Sequence, residues 1–327
     1  MKLSNLSARF WVAVVLIVGT LLLGLVGPFI VGTDPNAVIG GLYDPPNGSS
    51  IGMWLGTDNE GQSVMANLVY GIRTSLWVGL VAGAVATLVG VLIGLISGYV
   101  GGLVDDLLSG LTNIALAIPT LIVIILVSVA LQSRSPTILA LVIGFTAWPW
   151  LARAVRAQSS SVRTREHIDV ARLSGARGVS ILMWDVLPYL LSYVVMAFVL
   201  QVSAAILFEA TLSLLGLGPS GTTSLGIMLY WAIAWGSIRT GAWWAFLPPT
   251  IMLGIVSFSL LLLQSSLDEV FNPRLRRGRL GRRKGAALEP TGSPLGADSP
   301  QAGEAPALET PATAGIGSAP AGGGRRG

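Results

Sequence analysis

Residues 153–188 read RAVRAQSSSVRTREHIDVARLSGARGVSILMWDVLP, and their reading decides how the rest of the chain is arranged. They form the longest polar interruption between strongly apolar segments. Six arginines lie here (Arg153, Arg156, Arg163, Arg165, Arg172 and Arg177), with the chain's one histidine, His167. Apolar runs of membrane-spanning length flank the stretch on both sides. Lysines and arginines near span ends are retained on the cytoplasmic side, so this loop is expected to face the cytoplasm.

The stretch has internal pattern as well as charge. Ile168, Val170, Ala171, Leu173 and Ala176 alternate with Glu166, Asp169, Arg172 and Arg177. The 168/171 and 170/173 spacings predict a short helix with one apolar edge. Gly175 permits a change of direction after it. A second apolar run follows Gly178 and Ser180, and Pro188 suits the first turn of the next helix. The expected shape is helix, glycine-centred bend, helix, proline, span: a rigid protrusion beneath the membrane. Taken without any motif, the same residues also fit a solvated positive-inside loop with no specific partner.

Asp169-Val-Ala-Arg-Leu-Ser-Gly175, followed by Asp185-Val-Leu-Pro188, resembles the "EAA" loop of ABC-importer permease subunits. The family pattern is E-A-A, three residues, G, nine residues, I, one residue, L-P. Ala171, Gly175, Leu187 and Pro188 match in register. Asp169, Val170 and Asp185 depart from the expected Glu, Ala and Ile; the first keeps its charge, and the third puts an acid where an apolar residue is usual. The resemblance implies that Ile168, Asp169, Val170, Ala171, Arg172, Leu173, Gly175, Ala176, Leu187 and Pro188 form a coupling element that docks on an ATPase subunit.

Composition points the same way. Of 327 residues, 52% are hydrophobic and 11% charged, where soluble domains carry roughly 25% charged residues. The chain has no cysteine, which removes disulfides, thiol nucleophiles and cysteine-based metal sites. A single histidine leaves Ser-His catalysis poorly supplied, and Asp105 and Asp106 are adjacent rather than two separate acids. Of 20 lysines and arginines, only Arg73, Arg134 and Arg239 fall on the outer side of the expected topology.

In chain order, Phe10–Val31 is a first span, retained rather than cleaved as a signal peptide, with the N-terminus inside. Residues 32–70 are rich in Gly, Pro, Asn and Asp, with no Lys or Arg before Arg73, which suits the outer face. Trp54-Leu-Gly-Thr-Asp58, Gly61 and Tyr70-Gly-Ile-Arg73-Thr-Ser75 resemble a signature of the peptide/nickel branch of the same permeases, its "C" subunit in particular, with Gln62-Ser63 departing from Arg-Asp. Leu76–Val100 is a second span whose Gly79/Gly83 and Gly90/Gly94 pairs suit close helix packing. A short inside loop, Gly101–Asp106, leads to a third span over 107–131 bent at Pro119. A fourth covers 137–152 and a fifth 189–215. The fifth carries Gln201 and Glu209, the latter in Ile206-Leu-Phe-Glu-Ala-Thr-Leu-Ser-Leu-Leu-Gly-Leu-Gly218, which is similar to the family's "AEAALSFLGLG". Glu209 reads either as a residue of the pathway or interface, or as a locally paired structural group. The aromatic-rich 216–245 reads as an interfacial, partly re-entrant hairpin, and 246–267 as a sixth span. The basic run at 274–284 suits an anionic inner leaflet, and 285–327 has too few large apolar groups to fold.

The expected architecture is an all-α polytopic membrane protein with six transmembrane helices and a disordered C-terminal tail. It divides into an N-terminal span and outer segment (1–71), a core (72–272) containing the loop 153–188, and a cytoplasmic tail (273–327). The resemblance implies a type I ABC-importer permease and a di- or oligopeptide cargo, with nickel or another small solute as an alternative. It implies no cofactor in this chain, ATP being bound by two partner ATPase subunits, and also a second related permease and an extracytoplasmic binding protein. No phosphate-binding Gly-x-x-x-x-Gly-Lys-Ser/Thr motif is present. The competing class, an ion-driven transporter or channel, would usually carry several intramembrane charges, and Glu209 is nearly alone.

Overall fold

A computed structural model describes residues 8–131 and 134–271; the expectations for the first residues and for the tail lie outside the described part. Within that part the secondary structure is helical, apart from two isolated bridges in the outer segment. The helices are α1 (Ala8–Val31), α2 (Val64–Val100), α3 (Gly102–Ala117), α4 (Thr120–Leu131), α5 (Pro136–Arg163), α6 (Glu166–Leu173), α7 (Gly178–Ile181), α8 (Leu187–Leu214), α9 (Leu225–Ala234), α10 (Ser237–Thr240) and α11 (Trp243–Phe271). Five helical stretches are long and apolar enough to cross a membrane, or six with α3 and α4, bent by 85°, counted as one span.

α2 is the central rod. Its N-cap is Ser63, whose hydroxyl accepts from Ala66 N at 3.0 Å and donates to Gly52 O at 2.6 Å. Gly101, at φ +72, ends it. Along one edge, Gly90, Gly94 and Gly98 meet α5 without side chains between them. A Cβ on Gly94 would stand 2.6 Å from Ala152 O, and one on Gly98 2.5 Å from Arg156 O. Further out, Gly79 and Gly83 receive Ile206 and Val202 of α8. The small-residue spacing thus does what close packing in lipid requires: it lets backbones touch.

The three largest buried clusters follow from this arrangement. The inner one joins Val91 and Leu95 of α2, Leu151, Val155 and Val162 of α5, and Leu190 of α8. A second joins Val78, Ile124, Ile143 and Leu212. The third packs Val64, Leu68 and Ile72 against Leu225 and Met228 of α9. α9 is too short to cross a membrane, in keeping with the re-entrant reading.

Four element borders differ from the sequence expectation. α2 starts at Val64, so the 71/72 border falls inside a helix; Val64, Leu68 and Val69 are buried and favour continuing the rod outward. Asp105 and Asp106 lie in the first turns of α3 rather than in a loop. α5 runs on to Arg163, because Val155, Ser159 and Val162 stay buried, so the expected loop 153–188 begins in fact at Thr164. The final helix opens at Trp243, ahead of Pro248 and Pro249.

The glycine contact is open to a paired test. Gly98→Ala should lower stability by about 1–3 kcal/mol through overpacking against Arg156 O. Gly110→Ala, where an added Cβ meets nothing within 4 Å, should raise it by about 0.5–1 kcal/mol. The thermal stability of the purified protein in detergent reads both signs.

Candidate functional site

The inner face is built around α6. Its N-cap, Arg165, stacks its guanidinium 4.3 Å over the Tyr189 ring. The helix closes as a Schellman motif: Gly175, at φ +77, donates N–H to Arg172 O at 3.0 Å, and Ala176 N donates to Ala171 O at 3.1 Å. Only a glycine takes that backbone angle without strain, which explains why the bend is centred there.

Apolar side chains lie on two faces of this element, one buried and one exposed. Ile168 is fully buried in the inner cluster, beside Leu95, Val155, Ile181 and Val186, with Ala171 partly buried against the same group. Val170, Leu173 (88% exposed), Val179 and Trp184 (78% exposed) project outward. Asp169 and Arg172 form an exposed ion pair at 3.2 Å, and Arg172 also reaches over Tyr99 at 5.6 Å. An exposed pair of this kind is worth little energy and mostly sets direction. A second helix, α7, leads through a π-helical turn (Leu182–Val186) into α8, which starts at Leu187 with Pro188 in its first turn. Asp185 is half-buried there while Val186 is fully buried, so the apolar duty of the motif has moved along by one residue.

The structure brings Ile168, Asp169, Val170, Ala171, Arg172, Leu173, Gly175 and Ala176 into one compact element, and sets Leu187 and Pro188 at the base of the next helix. It places Gln201 and Glu209 elsewhere. Gln201 is buried and donates Nε2 to Ala147 O at 3.0 Å, tying α8 to α5. Glu209 is fully buried and accepts three hydroxyls: Ser75 at 3.0 Å, Ser213 at 2.7 Å and Ser224 at 2.6 Å. Ser224 is also the N-cap of α9, accepting from Ile227 N, and Ser75 accepts from Leu225 N. Ser75 and Ser224 therefore pass the pull of the Glu209 carboxyl on to the α9 N-terminus. The arrangement favours the locally paired reading of Glu209, although its partners come from α2 and the α9 cap as well as from α8.

The outer motif Trp54–Gly61 also has a physical account. Thr57 is buried, donates to Gly41 O and accepts from Asp44 N, each at 2.7 Å; its carbonyl takes Trp244 Nε1 at 3.1 Å. Asp58 accepts Glu60 N and Gln62 N at 2.9 Å and Asn67 Nδ2 at 3.1 Å. Burial pushes its carboxyl above the usual range, with these donors pulling the other way. Gly56 and Gly61 have positive φ, and a Cβ on either would stand 2.5 Å from a carbonyl oxygen. With Asn67, Arg134 and Thr223, Asp58 lines a polar outer cavity of about 470 Å³.

Sequence reasoning missed one constellation. Arg156 grips Asp105 with two nitrogens, and Ser97 and Ser109 donate to the same carboxylate. The only signal was the Gly-Gly-x-x-Asp spacing at 101–105, which says nothing of a partner 51 residues away.

The model of binding-protein-dependent transport system inner membrane components matches residues 90–277. The chain belongs to this family. The dipeptide transport system permease DppC of Bacillus subtilis is 29% identical over 257 residues, 78% of each chain. The DppC of Haemophilus influenzae is 29% identical, covering 84% of this chain and 92% of that one. The oligopeptide transport system permease OppC of Mycobacterium bovis is 32% identical, covering 70% and 78%. Among solved structures, a chain of the inward-facing MetNI methionine ABC transporter aligns with a TM-score of 0.48 and 20% identity over 62% of this chain and 97% of that chain. The described residues form an all-α body of five apolar spans and one bent pair, as suits an inner membrane component of such a transport system.

For this permease the Glu209 network yields a graded expectation. Glu209→Gln keeps an acceptor for Ser213 and Ser224 and offers a donor to Ser75, so it should cost within about 1 kcal/mol. Glu209→Ala leaves three hydroxyls unpaired beside a cavity and should cost about 3 kcal/mol or more. Thermal denaturation of the purified permease followed by size-exclusion chromatography separates the two.

Proposed function

We propose that this permease subunit imports di- or oligopeptides in an ATP-driven complex, with α6 as its coupling helix. The observation that carries the reading is the split character of α6. Ile168 anchors it where α2, α5 and α8 meet, while Val170, Leu173, Val179 and Trp184 present an apolar surface to a partner. Exposed apolar residues clustered within a basic surface suit a protein interface better than a plain solvated loop. Support for the cargo comes from the names of the relatives, which are dipeptide and oligopeptide permeases.

In this reading the loop faces the cytoplasm, both termini lie on that side, and Asp169, Arg172 and the bend at Gly175 set the angle at which the ATPase is met. ATP binds to two partner subunits, and this chain is not catalytic. A second related permease completes the passage, and an extracytoplasmic binding protein delivers cargo to the outer segments. The core of the working unit is 72–272, with 1–71 as an N-terminal span and extracytoplasmic segment and 273–327 as a cytoplasmic tail, of which 286–327 is not needed for transport.

Two substitutions test the interface. Gly175→Pro cannot adopt φ +77 and removes the N–H given to Arg172 O. Leu173→Glu places a charge on the outward apolar face without touching the core. Each should lower ATP-dependent uptake of a labelled dipeptide in proteoliposomes by about tenfold or more while leaving membrane insertion intact, as loss of a central interface anchor does. Uptake unchanged in both variants would count against docking through α6, and uptake of nickel in place of the dipeptide would reassign the cargo.

A further inference from the structure

α3 is attached to the rest of the molecule by very little apolar surface. Thr112 is its one buried residue, and Leu103, Leu107, Leu111 and Ile114 all project outward. What holds it is polar. Arg156 of α5 donates Nε to Asp105 Oδ1 at 2.5 Å and Nη2 to Oδ2 at 2.7 Å. Ser97 of α2 and Ser109 of α3 donate to the same Oδ1. About two turns further along α3, Arg153 donates Nη2 to Asn113 Oδ1 at 2.7 Å. A two-pronged guanidinium–carboxylate contact fixes orientation as well as distance. The pair is partly exposed, with side chains 42% and 20% accessible, so its value lies in geometry more than in energy.

The far end of α3 is different. It meets α4 at 85° across Ile118 and Pro119, where the proline removes a backbone donor and helical continuity is lost. α4 is anchored separately, through Ile124 in the cluster of Val78, Leu139 and Ile143. α3 is therefore joined to α2 and α5 by a directional clamp and to α4 by a break.

We propose that Asp105 and Arg156 are positioning residues that carry movement of α6 and α5 into α3. The inference rests on the importer reading above. Displacing α6 displaces the inner end of α5, and α2 moves with it because Gly94 and Gly98 leave no slack between the two backbones. Asp105, held from α2 by Ser97 and from α5 by Arg156, takes α3 along, and the angle at Ile118–Pro119 changes while α4 stays packed.

The test uses the assembled transporter in proteoliposomes, with both ATPases, the second permease and the binding protein. Asp105→Asn keeps the size and the serine contacts but removes the charge. It should lower dipeptide uptake per ATP hydrolysed by about tenfold, with ATPase activity within about twofold of the unsubstituted complex. The reversal Asp105→Arg with Arg156→Asp should recover most of that ratio. Because the chain has no cysteine, spin labels at Leu107→Cys and Leu126→Cys report the α3–α4 angle directly. Their separation should change on trapping ATP in the otherwise unsubstituted complex and stay fixed in Asp105→Asn. An unchanged uptake-to-ATP ratio in Asp105→Asn would overturn the proposal, as would a parallel fall of uptake and ATPase with no recovery in the reversal, or a label separation that still switches. Failure of the importer reading itself would appear differently, as no ATP-driven uptake by the unsubstituted complex.

Discussion

The structure depends on direct contact between two helix backbones. Gly90, Gly94 and Gly98 remove the side chains that would hold α2 and α5 apart, and carbonyl oxygens of α5 occupy the space. In lipid there is no hydrophobic gain from bringing two apolar helices together, so close packing must supply the attraction. Every other feature of the inner half is built on this pair. The cluster that seats Ile168 includes Val91 and Leu95 from one rod and Leu151, Val155 and Val162 from the other. The Asp105 clamp likewise draws on both, on Ser97 from one and Arg156 from the other.

Glu209 and Gln201, both buried inside the body, have partners that also do structural work. Glu209 would be costly at depth without donors, and three serines supply them. Two of those serines also satisfy N–H groups at the start of α9, an end that would otherwise leave orphan donors in an apolar setting. Gln201 binds a main-chain carbonyl of α5 in the same spirit. Among the described residues, Glu209 has no basic partner; its polar contacts are the three serine hydroxyls.

How much of this could be read from the sequence follows from distance along the chain. The bend at Gly175 was legible because a Schellman closure is written within a few consecutive residues. The helix spanning 166–173 was legible from its short apolar edge. The glycine ridge was legible as a spacing, though not as a contact with α5 in particular. The start of α2 was not legible, because Ser63 becomes a cap only when its hydroxyl is fixed by the carbonyl of Gly52, across a folded outer segment. Nor was the end of α5: Val155, Ser159 and Val162 sit in a run dense with arginine and serine, and only burial against α2 shows that the helix continues. Glu209 was visible as an anomaly while its donors were not, since Ser75 lies 134 residues away.

α5 reaches from Pro136 to Arg163 without interruption, and Pro149 does not break it. Its outer threshold is tied down as well: Arg134 donates to Gly216 O at 3.0 Å and receives Ser220 N at 2.8 Å. One continuous helix therefore carries Arg153, Arg156 and Arg163 at one end and, at the other, adjoins the contacts of Arg134 with Gly216 and Ser220. Such a helix passes a displacement along its length, its backbone bonding interrupted only where Pro149 lacks an N–H. A tilt at one end is therefore felt at the other, with no segment having to melt and reform.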